Sequence, residues 1–179
     1  MDLSQEEILI AGAVIALIIF GYSKIKKDDS GRIKDESVRT SNVLEALSSF
    51  KAKRDSQLKL GYTEKSIQKQ LKNHLQKRYV HVTDEYGIEG LNATKIDFDL
   101  GNGKVGVELK LAKSLFKSAN MHRLIGQVEE YQRSKYTKDN LIVVVFGEPT
   151  HTQERSHLKV IKERLEDKGV IYYYSEIPD

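Results

Sequence analysis

Thr94-Lys95-Ile96-Asp97-Phe98-Asp99-Leu100-Gly101-Asn102-Gly103-Lys104-Val105-Gly106-Val107-Glu108-Leu109-Lys110-Leu111 reads as a β-hairpin. Two runs alternate in polarity around Asn102-Gly103, a pair suited to a tight turn because both central residues of a type I′ turn need positive φ. A two-residue loop sets Gly101 opposite Lys104, Leu100 opposite Val105, Phe98 opposite Val107 and Asp97 opposite Glu108. One face then carries Ile96, Phe98, Leu100, Val105, Val107, Leu109 and Leu111. The other carries Lys95, Asp97, Asp99, Gly106, Glu108 and Lys110. Opposed residues have Cβ atoms about 4.5–5.5 Å apart, and like charges there destabilise the pair. Two carboxylates at about 4 Å repel by roughly 4 kcal/mol at an effective dielectric near 20. Either this is a solvated face neutralised by Lys95 and Lys110, or a cation sits between the acids. A hard divalent ion such as Mg²⁺ takes one or two carboxylates and keeps several waters. Asp99, opposite Gly106, reaches Glu108 only diagonally and is the reserve ligand.

The 179-residue chain, 39% apolar, is long enough for one core with appendages. It has no cysteine, which excludes disulfides, zinc-thiolate sites and thiol catalysis. A net charge of +3 permits a polyanionic partner without demanding one.

Residues 1–23 are expected to be a transmembrane anchor. Ile8 to Tyr22 carries no charged residue. Its large apolar side chains favour insertion by roughly 3–5 kcal/mol, and residues 3–23 reach the usual span. The acidic start (Asp2, Glu6, Glu7) and basic flank (Lys24, Lys26, Lys27) place the N-terminus outside and the rest in the cytoplasm. A cleaved signal peptide would show the reverse start. Residues 24–42 read as a charged, flexible linker, and residues 43–179 as one globular domain.

Within that domain, Asn42 with Glu45 resembles a capping box before a helix over 43–59. A second helix spans Thr63 to Lys77, capped by Thr63, with Ile67, Leu71 and Leu75 as its buried stripe. Tyr79 to Val82 is a strand, and Asp84 to Gly90 its turn region. After the hairpin, Leu124, Val128 and Tyr131 mark a helix near 117–134. Leu141 to Phe146 is a continuous apolar run suited to a central strand. A helix over 153–167 buries Leu158, Ile161 and Leu165, and Val170 to Tyr174 is the last strand. The expected fold is α/β, a mixed sheet with helices on both faces.

In this order the chain resembles the PD-(D/E)xK nuclease superfamily, with its restriction-endonuclease-like fold. Residues 63–146 follow that family's α-β-β-β-α-β core, and Asp97, ten residues, then Glu108-Leu109-Lys110 match its signature. Gln127-Val128-Glu129-Glu130-Tyr131 is similar to the Gln-x-x-x-Tyr element of RecB-like branches. The proline before the Asp is absent, and Ile96 stands there. Glu166-Asp167-Lys168 also matches Glu-x-Lys, but on a helix end.

The resemblance implies a nuclease that hydrolyses DNA phosphodiesters with Mg²⁺ or Mn²⁺. Asp97 and Glu108 would be metal ligands, joined by the Leu109 backbone carbonyl and Glu64 on the first core helix. Lys110 would orient water, stabilise developing charge or, with a lowered pKa, act as base. Gln127 would position the lysine, metal or DNA. Tyr131, Lys113, Lys117 and Arg123 are the candidate nucleic-acid contacts, with Lys135 nearby. A homodimer is compatible with cutting both strands. The alternative is a catalytically silent domain of the same fold that binds nucleic acid or protein.

Overall fold

A computed structural model describes residues 25–54, 58, 61–87, 94–148 and 152–177. The expected membrane anchor, residues 1–23, lies outside them. Among the described residues no helix is long and apolar enough to cross a membrane.

The elements run α1 (Thr40–Ser49), α2 (Glu64–Gln76), β1 (Val82–Gly87), β2 (Lys95–Leu100), β3 (Val105–Leu111), α3 (Ala112–Leu115), α4 (Ser118–Ser134), β4 (Leu141–Gly147), α5 (Thr152–Glu166) and β5 (Ile171–Glu176). The five strands lie in the order β1-β2-β3-β4-β5. The first three form an antiparallel meander, and β3, β4 and β5 are parallel. This is an α/β fold with a mixed sheet between helical layers. The parallel part needs crossovers, which α3 with α4 and then α5 supply.

β4 shows why both faces are covered. Ile142, Val144 and Phe146 join the core under α1 and α2, with Leu47, Ile67, Leu71 and Leu75. Leu141, Val143 and Val145 join a second core under α3, α4 and α5, with Leu124, Val128, Ile161 and Leu165. An uninterrupted apolar strand is what two buried faces require.

The hairpin register agrees with the sequence reading: Phe98 faces Val107, Asp99 faces Gly106 and Leu100 faces Val105. The turn differs. Lys104 N–H donates to Leu100 O rather than closing a two-residue loop, and Gly101, Asn102 and Gly103 all have positive φ. Four turn residues in place of two leave the same pairs opposite.

Four local expectations need correction. The linker 24–42 is not a free tether over its described part. Ile33 exchanges backbone hydrogen bonds with Arg78 and Val80, and Val38, Ser37 and Asn42 are buried against the domain. The helix expected over 43–59 starts at Thr40 and stops at Ser49. Asn42 lies inside it, its Oδ1 accepting from Arg39 N–H and its amide donating to Ser37 O. After Ser49 the chain is held extended, because the Gln70 amide both accepts from Lys53 N–H and donates to Lys53 O. The strand expected over Tyr79 to Val82, with Asp84 onward as its turn, lies later: Tyr79 makes only an isolated bridge to Ile33, and Val82 to Gly87 pairs with Leu100 to Lys95, interrupted only at Glu85, whose φ is +47°.

The fourth correction concerns Ile96, expected beside Phe98. It packs instead in the second core, on the face of Gly106 and Tyr136. Strand alternation slips at Asp97, so the face read as polar is buried beneath α4. A Cβ on Gly106 would lie 2.6 Å from Ile96 Cδ1 and 2.9 Å from the Tyr136 ring. Gly106→Val is therefore expected to destabilise by about 1–3 kcal/mol through overpacking, read as a lowered urea midpoint. An unchanged midpoint would mean that this contact relaxes freely.

Candidate active site

The site grows from that slip. The β2–β3 ladder runs only as far as Phe98 opposite Val107. One step on, the Asp97 side chain takes the place of a backbone acceptor: Leu109 N–H donates to its Oδ2 at 2.7 Å. Gln68 Nε2 on α2 donates to Oδ1 at 3.1 Å. Asp97 is thus locked between two elements with its carboxylate turned toward β3.

Glu108 on β3 is 2% exposed. Lys110 Nζ donates to its Oε1 at 2.6 Å, and the side-chain alternation of a strand puts both residues on one face. The Tyr131 hydroxyl of α4 lies 2.9 Å from Glu108 Oε2 and 2.7 Å from Lys95 O, within donating distance of both. Tyr131 is fully buried. Burial and the Glu108 carboxylate push its pKa far up, so it remains a donor.

The charges are unbalanced. Burial, then the Glu108 carboxylate and more weakly Glu64, raise the Asp97 pKa to about 7, against the opposing pull of Lys110 and Leu109 N–H. For Lys110, burial lowers the pKa, but the carboxylates of Glu108, Asp97 and Glu64 outweigh it and the net shift is upward. In the metal-free site Lys110 is therefore held as a cation.

The sequence-selected residues separate into groups. Asp97, Glu108, Leu109, Lys110 and Tyr131 are joined by hydrogen bonds. Glu64 lies one turn before Gln68 on α2 and is felt electrostatically by Asp97 and Lys110. Gln127 is half-buried one turn before Tyr131, and its side chain makes no hydrogen bond among the described residues. Lys113 is exposed on α3, Lys117 at the junction before α4 and Arg123 on α4. Tyr131, read as packing or contacting phosphate, is turned inward, packed, and holds Glu108. Asp99, the reserve ligand, is committed elsewhere: the Tyr136 hydroxyl donates to it, and Lys135 Nζ lies 3.3 Å away. Lys135 also sits 3.6 Å above the Tyr86 ring and is no surface phosphate contact. Glu166-Asp167-Lys168 lies at the end of α5, where Lys168 pairs with Glu129.

Gln68 was missed. It stands four residues after Glu64, and side chains at that spacing stack on one helix face. A helix that brings Glu64 toward the site brings Gln68 there as well.

Among the described residues no three His, Cys, Asp or Glu side chains converge as a metal cage. The donor set is two carboxylates. The carbonyl of Leu109 leaves the strand on the same side as its N–H, which faces Asp97. Hard oxygen donors and an excess of negative charge over one lysine fit a divalent cation of the Mg²⁺ type, with water completing its shell. No family model, no curated protein and no solved structure matches this chain.

Proposed function

We propose that this chain is a divalent-metal-dependent nuclease of the PD-(D/E)xK type, acting on DNA phosphodiesters. The observation that carries the reading is the meeting of Asp97 and Glu108 at the point where the β2–β3 ladder opens, with the Lys110 ammonium on Glu108. Asp97, Glu108 and the Leu109 carbonyl would hold Mg²⁺ or Mn²⁺, with Glu64 within electrostatic reach. When bound, such a metal lowers the pKa of water and stabilises charge on a phosphoryl group. Lys110 supplies a fixed cation beside the charge that develops on the phosphate, which is most effective in a site shielded from water. Tyr131 and Gln68 orient the two carboxylates. Residues 3–23 would anchor the enzyme in the membrane, with the nuclease domain on the cytoplasmic side.

One observation favours a second reading, a silent nucleic-acid- or protein-binding domain. Each of the four carboxylate oxygens of Asp97 and Glu108 already has a donor: Gln68, Leu109, Lys110 or Tyr131. Incubation of the full chain with linear, circular and single-stranded DNA separates the two. Cleavage in Mg²⁺ or Mn²⁺, abolished by chelator, is expected. Intact DNA in both metals supports the silent domain.

A further inference from the structure

On the flank of α2 away from Asp97 lies an open recess of about 250 Å³, lined by Phe50, Lys51, Lys53, Gln70, Asn73, His74 and Lys77. α2 separates it from the carboxylates. Gln68 reaches Asp97 and Lys72 reaches Asp84 from one side of the helix. Gln70, Asn73, His74 and Lys77 lie on the other.

The recess has three lysines and no acid in its lining. Among the described residues Lys51, Lys53 and Lys77 form no ion pair, and Asn73 makes no side-chain hydrogen bond. The floor is fixed. Gln70 clamps the Lys53 backbone in both directions, and His74 Nε2 lies 2.9 Å from Ala46 O. Burial lowers the His74 pKa, so the ring is a neutral support and not part of the charge. The surrounding sequence is polarised as well. Residues 51–78 carry nine Lys and Arg against two Asp and Glu, a net +7, while the whole chain is only +3. The rest of the chain is therefore net acidic; within this stretch Arg54 and Lys72 pair with Glu148 and Asp84, and the three recess lysines do not.

Free ammonium groups and an amide around a concave, prearranged floor suit phosphate oxygens. A bilayer surface would also attract lysines, but it is favoured by exposed large apolar side chains beside them. Among the described residues those are Ile25 and Val160, neither of which lines the recess. We propose that the recess binds the phosphodiester backbone of nucleic acid, as a second grip on the far flank of α2. The proposal rests on nucleic acid being the ligand class of the Asp97–Glu108 site, but not on cleavage there.

The test is fluorescence anisotropy of the full chain with a short labelled DNA duplex in EDTA, across a salt series. A triple variant, Lys51→Gln with Lys53→Gln and Lys77→Gln, is compared with a control of equal charge change, Lys104→Gln with Lys138→Gln and Lys159→Gln. The recess variant is expected to bind at least about tenfold more weakly, with a slope of log K against log salt shallower by roughly 2–3, at about 0.9 per phosphate contact. The control keeps both. Asn73→Asp, which puts a carboxylate into the recess, is expected to weaken binding in the same direction. Wild-type affinity and slope in the recess variant would overturn the proposal. So would an equal loss in the control, or binding of wild type to phosphatidylserine vesicles but not to DNA. Absence of cleavage in Mg²⁺ with recess-dependent binding in EDTA would remove the nuclease reading alone.

Discussion

Asp97→Asn is expected to abolish metal-dependent cleavage, by about 10³-fold or more, and at the same time to make the metal-free protein more stable. The first effect follows from the proposed chemistry, because a neutral amide is a poor ligand for a hard cation. The second follows from linkage. The Asp97 pKa is near 3.8 in the unfolded chain and about 7 in the fold. The folded state thus binds the proton more tightly. Stability from this group is greatest below pH 3.8, falls as pH rises between the two values, and is fully lost above 7. At pH 8 the ionised carboxylate works against folding, by an amount on the order of 2–4 kcal/mol. Asparagine never ionises and still accepts from Leu109 N–H. At roughly 2–4 °C per kcal/mol for a chain of this size, the variant should melt about 5–10 °C higher at pH 8 and differ little near pH 4. Mg²⁺ should raise the wild-type melting temperature more at pH 8 than at pH 6, since ligands bind deprotonated. A variant that melts lower than wild type at pH 8 would show that the carboxylate repulsion is not stored in the fold. Wild-type cleavage by the variant would end the role of Asp97 as a metal ligand.

That trade between stability and charge explains which parts of the molecule could be read from its sequence. The hairpin register was legible because Asn102-Gly103 marks the turn and apolar alternation from Phe98 to Val107 sets the face, although the turn itself is longer than two residues. The burial of Leu141 to Phe146 was legible because only a strand covered on both sides tolerates no polar residue. The second helix and the one near 117–134 announced themselves by Ile67, Leu71 and Leu75, and by Leu124, Val128 and Tyr131. Part of what failed did so at the site. Period-two alternation has no way to signal that Asp97 would leave the ladder and accept a backbone N–H, which moves Ile96 to the opposite face. The partners of Asp99 come from Lys135 and Tyr136, 36 and 37 residues away in the chain, and no local pattern marks them. The strap 25–39 looked like linker because its composition is charged. It packs through backbone hydrogen bonds from Ile33 and a few buried side chains, which composition does not record.

Lys110→Ala is expected to give the largest loss of stability of any change at the site, and a double variant shows why. Glu108 is 2% exposed, and its nearest cation is the Lys110 ammonium at 2.6 Å. Removing the lysine leaves a buried carboxylate with Tyr131 as its remaining side-chain donor. Breaking a buried pair by removing one partner typically costs about 3–5 kcal/mol, largely from the charge left behind. The melting temperature should fall by roughly 6–15 °C. Adding Glu108→Gln removes that charge while keeping an acceptor for the Tyr131 hydroxyl, so the double variant should regain most of the loss. A coupling energy of about 2–3 kcal/mol in the cycle is the expected signature of two residues in one network. Activity should not follow stability. Lys110→Ala alone should slow single-turnover cleavage by about 10²–10³-fold at saturating metal, and the double variant should be slower still, because it also lacks a metal ligand. A cleavage rate that recovered together with the melting temperature would mean that Lys110 only neutralises Glu108 and has no part in stabilising the phosphoryl group.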